Sequence, residues 1–324
     1  MLFLLLSLVG CSSPAAAAPA HAATDAVSGD VRLWQDAAIF QLVTRLIDTA
    51  EHQVLVEMYE LGRPDVVRSL GAAAARRVAV RVITDPTVAA SRKSAPTLQA
   101  LHVPERMYPV NDFRHQIDHV KMLVVDGEAA VGGMNWGKNS QRNHDYVLEI
   151  RDHAEVDRVT RIFEQDWALA GGHPTPLAAE SGPIAQTSPG SEIRSMLGGE
   201  LAHSVHRVLV EIYTLTDGEI LAQLVIAHRR GAVVRVLLDP NQVYNVHAYD
   251  LLRSSGVEAR WYPVPKGALL HAKIGLFDGD LVLGSANWTL SGLNVNHELD
   301  VRTSDRNAVQ AYLGRFQSDW ARSG

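Results

Sequence analysis

The feature that most constrains this chain is that it repeats itself. VLVEMYEL beginning at Val54 returns as VLVEIYTL beginning at Val208, and VRVITDP at Val80 returns as VRVLLDP at Val234, both 154 residues later. RMYPV at Arg106 and RWYPV at Arg260 keep that spacing. DHVKMLVVDGEAAVGGMNW from Asp118 aligns with LHAKIGLFDGDLVLGSANW from Leu270, and the DWA at Asp166 recurs at Asp319, with offsets of 152 and 153. So long a period excludes a solenoid. Each copy is a domain-sized unit, and two such copies are expected to pack about a pseudo-twofold axis, as a homodimer does.

Within each copy, β-branched runs (VLVEMY, VAVRVIT, KMLVV) alternate with helical stretches (AAIFQLVTRLIDTAE, AEVDRVTRIFEQDWA). That order predicts an α/β unit, a mixed β-sheet flanked by helices. Asp126-Gly127 and Asp278-Gly279 sit between strand-like runs as hairpin turns, so the sheet is not purely parallel. The organisation read from the chain is a leader and tether over 1–29, a first repeat over 30–170, a linker over 171–190 and a second repeat over 191–324. The linker reading rests on the Gly/Pro-rich GGHPTPLAAESGPIAQTSPG.

The first ten residues, MLFLLLSLVG, are apolar but too short for a spanning helix, and suit the core of a secretion signal. Cys11, the only cysteine, follows Leu8, Val9 and Gly10 as in a bacterial lipoprotein signal. The expectation is an exported protein anchored through acylated Cys11 and facing the periplasm or cell exterior. No Lys or Arg precedes the apolar run. Residues 12–29, rich in Ala, Pro and Ser, read as a tether. The formal net charge of -6 argues against a protein that holds nucleic acid by a broad basic surface, without excluding a locally basic cleft.

His119 and Lys121 are two apart on a strand-like run, as are His271 and Lys273, so each pair faces one side. Asn135 and Asn287 follow the return strand in GGMN and GSAN, where small residues let a ligand approach closely. Taken singly, each has a structural explanation. Their agreement between copies, while the intervening apolar residues change, is what marks them as functional. A metal hydrolase built on His115 and His119 is disfavoured: no Glu follows His115 in the zinc-protease pattern, and the second copy has no counterpart of His115.

These residues resemble the phospholipase D superfamily, whose signature is H-x-K, four residues, Asp, and then Gly-Ser-x-Asn. The resemblance covers both copies. Two departures stand out. Five residues rather than the usual six separate Asp126 from Gly132 and Asp278 from Gly284, and Gly133 replaces the motif serine that Ser285 retains. The resemblance implies a phosphodiesterase without a cofactor, working through a covalent phosphohistidine. His119 would be the nucleophile and His271 the general acid, with Lys121, Lys273, Asn135 and Asn287 holding the phosphate. Pseudo-symmetry also permits the reverse assignment of the histidines. Asp145 and Glu298, which follow Asn143-His144 and Asn296-His297, are expected to orient the imidazoles. Asp126 and Asp278 are expected to be turn residues. Glu57 and Glu211 match between copies, with cleft-facing and packing roles both open.

The substrate expected is a phospholipid headgroup such as that of phosphatidylcholine, giving phosphatidate. The alternatives are a membrane-anchored endonuclease acting on DNA, a cardiolipin synthase-like phosphatidyltransferase and a non-catalytic phosphate-binding module. The last gives no reason to keep both histidines. Trp136, Trp261 and Trp288 are candidate contacts to a membrane surface, with a packing role equally open for Trp136 and Trp288, and Arg142, Arg229 and Arg230 are candidate contacts to a nucleic-acid backbone. A monomer containing an internal pseudo-dimer is expected.

Overall fold

The computed structural model describes residues 30–178 and 180–323. Cys11, the signal and the tether lie outside the described residues. In the first repeat, β1 (Val31–Gln35), β2 (Gln53–Met58), β3 (Ala79–Thr84), β4 (Glu105–Met107), β5 (Lys121–Val125), β6 (Glu128–Gly132) and β7 (Tyr146–Ile150) form one sheet in the order β1-β7-β6-β5-β2-β3-β4. In the second, β8 (Ile184–Thr187), β9 (Arg207–Ile212), β10 (Val233–Leu238), β11 (Glu258–Trp261), β12 (Lys273–Phe277), β13 (Asp280–Gly284) and β14 (Glu298–Thr303) form the order β11-β10-β9-β12-β13-β14-β8. The orders correspond strand for strand. Parallel pairs (β2 with β3, β9 with β10) and antiparallel pairs (β5 with β6, β12 with β13) make both sheets mixed.

The span read as a linker is shorter than expected, because β8 lies inside it and pairs antiparallel with β14. Four residues in a Gly/Pro/Ser-rich setting carry too little periodicity to announce a strand. β8 is the counterpart of β1.

One face of each sheet is covered by its own helices: α1 (Ala38–Thr49), α2 (Pro64–Ala75) and α3 (Ala89–Ala100) in the first repeat, and α5 (Glu192–His203), α6 (Gly218–Arg229) and α7 (Asn245–Ser254) in the second. The helix α1 shows the sequence logic, burying Ile39, Phe40, Leu42, Val43, Leu46 and Ile47 on one stripe. The other faces of the two sheets share a third core with α4 (His153–Ala170) and α9 (Arg306–Arg322). Asp152 and Asp305 cap these two helices in the same way, each accepting two backbone N–H groups of the first turn. The period of two in β2 sends Val54, Val56 and Met58 to the outer core and Leu55 to the shared one. Glu57 therefore also faces the junction between the repeats, as Glu211 does in β9.

Candidate active site

The two H-x-K segments meet where the repeats abut. The backbone N–H of His119 donates to the carbonyl of His297 (2.8 Å), and that of His271 to the carbonyl of His144 (2.8 Å). His297 and His144 return the bond, to Ile117 and Leu269 at 2.9 and 2.8 Å. Each H-x-K segment is thus stitched to the strand-entry segment of the opposite repeat. The consequence is an exchange of carboxylates. His119 Nδ1 lies 2.8 Å from Glu298 Oε2 of the second repeat, and His271 Nδ1 lies 2.7 Å from Asp145 Oδ2 of the first. A neutral imidazole that donates Nδ1–H to its carboxylate carries its lone pair on Nε2, and Lys273 Nζ lies 3.0 Å from the same Nδ1 of His271.

Both histidines line a cleft of about 950 Å³, together with Asn135, Asn287, Tyr59 and Tyr213. Asn135 Oδ1 and Asn287 Oδ1 are buried without a hydrogen-bond partner. Lys121 and Lys273 lie one layer behind this wall, buried, and each ammonium donates to the carbonyl of the histidine two residues before it, Lys121 at 2.5 Å. Their charges also sit against the rings of Tyr59 and Tyr213, 4.9 and 5.1 Å from the centroids. Burial pulls Lys121 down to about 7 and Lys273 to about 8. Burial, with the neighbouring ammonium groups, keeps the His119 imidazole well below its ordinary range and lowers His271 to about 4. Burial pushes Glu298 up to about 7, against the pull of Lys121. Two neutral imidazoles with oriented lone pairs therefore face one cleft above two buried amines.

Asp126 and Asp278 stand apart from this chemistry. Each occupies a left-handed position (φ 46° and 53°) in its two-residue hairpin turn. The Asp126 carboxylate accepts from the N–H groups of Glu51, His52 and Gln53, and Asp278 from those of Val205, His206 and Arg207. The motif aspartate is a clamp that fixes the loop entering β2 or β9.

The Gly133/Ser285 difference has a geometric account. Ser285 Oγ donates to Glu298 Oε2 (2.6 Å) and accepts from Leu299 N–H (3.0 Å). In the first copy Asp145 Oδ1 itself accepts from the N–H of Tyr146 (2.9 Å), and a Cβ on Gly133 would lie 2.4 Å from that oxygen. The shorter acid takes the place of the hydroxyl, so glycine accompanies aspartate and serine accompanies glutamate.

Several residues escaped the sequence reading. Tyr59 packs edge-on to His119 and Tyr213 tilts against His271, at centroid distances of 4.8 and 4.9 Å. Asp85 and Asp239, both buried, accept from the N–H of Asp118 and of Leu270, each at 2.6 Å, and so pin the residue before each histidine. The matched TDP and LDP segments carried that signal. Behind the site lie two further exchanged clusters. His297 Nε2 lies 3.0 Å from Asp166 and 3.4 Å from Glu57, and its ring stacks on Tyr108; His144 Nε2 lies 3.3 Å from both Glu211 and Asp319, and its ring stacks on Tyr262. Burial opposes the charged form of both rings. Even so, Asp166 and Glu57 hold His297 well above the imidazole range, and Glu211 and Asp36 raise His144 to about 9. Glu57 and Glu211 thus hold the repeats together and do not face the cleft.

Two expectations are corrected. Trp136 and Trp288 are 3% and 1% exposed and belong to the outer cores, so neither meets a membrane, while half-buried Trp261 stacks on Tyr249. Arg230 donates to the carbonyls of Leu201 and Ser204, and Arg229 adjoins it at the end of α6 that leads into β10, opposite the loops that line the cleft. Of the three arginines only Arg142 stands near the cleft, donating to the carbonyl of Lys266.

The chain matches the family model described as "Cardiolipin synthase, PLD-like domain" twice, over residues 43–167 and 197–320. A probable cardiolipin synthase of Bacillus subtilis is 27% identical over 234 residues, covering 64% of this chain and 46% of that protein. A mitochondrial cardiolipin hydrolase of Xenopus laevis is 33% identical over 112 residues, 34% of this chain and 52% of its own length. The chain spans about half the length of the curated relatives it matches. Among solved structures, the phosphatidylserine synthase of Haemophilus influenzae superposes with a TM-score of 0.73 at 11% identity, over 90% of this chain and 86% of that one, a likeness of fold. Two matched copies of the domain, meeting at paired H-x-K segments, place this chain in the phospholipase D superfamily, within the family of cardiolipin synthase PLD-like domains.

Proposed function

We propose that the chain cleaves or transfers the phosphodiester of a phospholipid headgroup at this single composite site, and that polyglycerol phospholipids of the phosphatidylglycerol and cardiolipin class are its substrates. The observation that carries the chemistry is the pair of exchanged dyads, His119–Glu298 and His271–Asp145, facing one cleft. His119 Nε2 attacks phosphorus; the bond to the leaving alcohol breaks, and that oxygen takes a proton from His271 Nε2. Water or a second alcohol then attacks the phosphohistidine, giving its proton back to His271, and the P–N bond breaks. Asn135 and Asn287 face the non-bridging oxygens, and the ammonium charges of Lys121 and Lys273 act on them from the layer behind. The negative charge of the bound diester favours the imidazolium, so His271 takes up the proton for the leaving group at Nε2 from solvent as the substrate binds.

The names of the relatives support the glycerol headgroup over the choline ester expected from the sequence. In the test, the chain with Cys11→Ser is assayed in EDTA on vesicles of phosphatidylglycerol, cardiolipin or phosphatidylcholine and on single-stranded DNA, beside His119→Ala and His271→Ala. The expected result is turnover of phosphatidylglycerol and cardiolipin that is lost in both variants. Cleavage of DNA alone would replace this reading by a nuclease, and choline release alone would return the substrate to phosphatidylcholine.

A further inference from the structure

Large apolar side chains at least 60% exposed are, among the described residues, Phe113, Val205, Val243, Tyr244 and Leu290. Scattered singly, such residues are ordinary. Here four of the five stand on loops that also supply the cleft. Phe113 precedes Ile117 of the cleft wall, Val243 and Tyr244 follow Asn241, and Leu290 follows Asn287. The Phe113 loop is fastened beside Leu290. Arg114 donates to the carbonyl of Asn294 at 3.3 Å and Gln116 to that of Val295 at 2.8 Å, while Leu290 opens the short helix α8 (Leu290–Asn294).

The duplication supplies an internal control. Ser91 and Asn245 take the N–H of Leu61 and Leu215 and donate to the carbonyls of Tyr59 and Tyr213, which fixes the alignment of the two loops. On that alignment Val243 and Tyr244 correspond to Ala89 and Ala90, and on the separate alignment of Asn287 with Asn135 Leu290 corresponds to Lys138. The first repeat carries no large apolar side chain at these points: Ala89 and Ala90 open α3, and Lys138 lies in a turn. The exposed apolar side chains belong to one side of the cleft mouth.

We propose that this side of the mouth is a bilayer-docking face, in which Phe113, Val243, Tyr244 and Leu290 enter the headgroup–acyl boundary while exposed Arg114 and Lys266 meet anionic headgroups. A protein seated there would cover the opening through which substrate must pass, whereas a membrane delivers substrate through it. The proposal rests on the phospholipid reading given above and adds to it where the membrane meets the protein.

The test uses the full chain with Cys11→Ser as reference, so that acylation does not drive binding, and a variant of that chain in which Phe113, Val243, Tyr244 and Leu290 are all serine. Val205→Ser is the control for an exposed apolar residue away from the cleft. Co-sedimentation with phosphatidylcholine vesicles containing phosphatidylglycerol is measured beside turnover of the soluble diester bis(p-nitrophenyl) phosphate. The expected result is vesicle affinity reduced by at least about tenfold in the fourfold variant, from the apolar area withdrawn, with soluble-diester turnover and Val205→Ser unchanged. Equal vesicle affinity in reference and variant, or no vesicle binding by the reference, overturns the docking face. Vesicle binding lost in the variant while the reference turns over no lipid would keep the docking face and reject the phospholipid reading.

Discussion

At the residue scale, the site depends on small matched differences between copies. Because a Cβ on Gly133 collides with Asp145 Oδ1, Gly133→Ser is expected to destabilise the fold by about 1–3 kcal/mol, as overpacking does, and to lower kcat by displacing Asp145 from His271. Adding Asp145→Glu, which reproduces the Ser285/Glu298 arrangement, should restore most of both losses. Thermal melts and kcat of the two single variants and the double variant read this directly, and purely additive losses would contradict the exchange. The buried amines make a second prediction. Their charge is useful only below their lowered values, about 7 for Lys121 and about 8 for Lys273. As pH rises through that window they lose their protons, so kcat/KM for the free protein should fall on its alkaline limb from about pH 7 to 8. A profile flat to pH 9.5 would show that the ammonium charges do not act on the phosphate.

At the element scale, the hairpins carry the motif aspartates as clamps. Asp126→Ala removes an acceptor for three N–H groups, and because the site is partly exposed water replaces some of that bonding. The expected loss is about 1–3 kcal/mol of stability, with kcat per folded molecule within about twofold, since no reacting group moves. Denaturant unfolding and active-site-normalised kcat separate these effects, and a collapse of kcat in a fully folded variant would make Asp126 catalytic after all. Much at this scale was legible in the sequence. The strand and helix order, both Asp-Gly hairpins and the paired H-x-K segments follow from periodicity and self-comparison. The strand β8 did not, because four residues in a turn-rich span lack the contrast that marks a strand. Trp136 and Trp288 were ambiguous because an indole after a motif asparagine reads equally as a surface or a packing residue, and only tertiary burial decides.

At the scale of the whole molecule, the repeats are interdependent. Self-comparison shows that Asp145 and Glu298 are equivalent, but not that each serves the other repeat's histidine, because equivalence carries no information about which copy a side chain faces. The same exchange governs His297, whose ring is held by Glu57 and Asp166 of the opposite repeat, and the Nε2 of His144, which faces Glu211 and Asp319 of the opposite repeat while its Nδ1 bonds Asp36 of its own. His297→Gln leaves Glu57 and Asp166 buried without their cation. It is expected to cost about 3–5 kcal/mol and, because Glu298 is the next residue, to lower kcat even where the protein remains folded. Circular dichroism melts with kcat below the melting range test this; unchanged kcat in a destabilised variant would confine the cluster to structure.

The central claim is that one repeat supplies the nucleophile and the other the acid of a single site. Alkaline-quenched peptide mass spectrometry during phosphatidylglycerol turnover tests it most directly, because phosphohistidine survives alkali. The account predicts a phosphatidyl adduct on His119, absent from His119→Ala and formed slowly in His271→Ala. Adducts on both histidines of one molecule, or turnover that persists in His119→Ala, would contradict it.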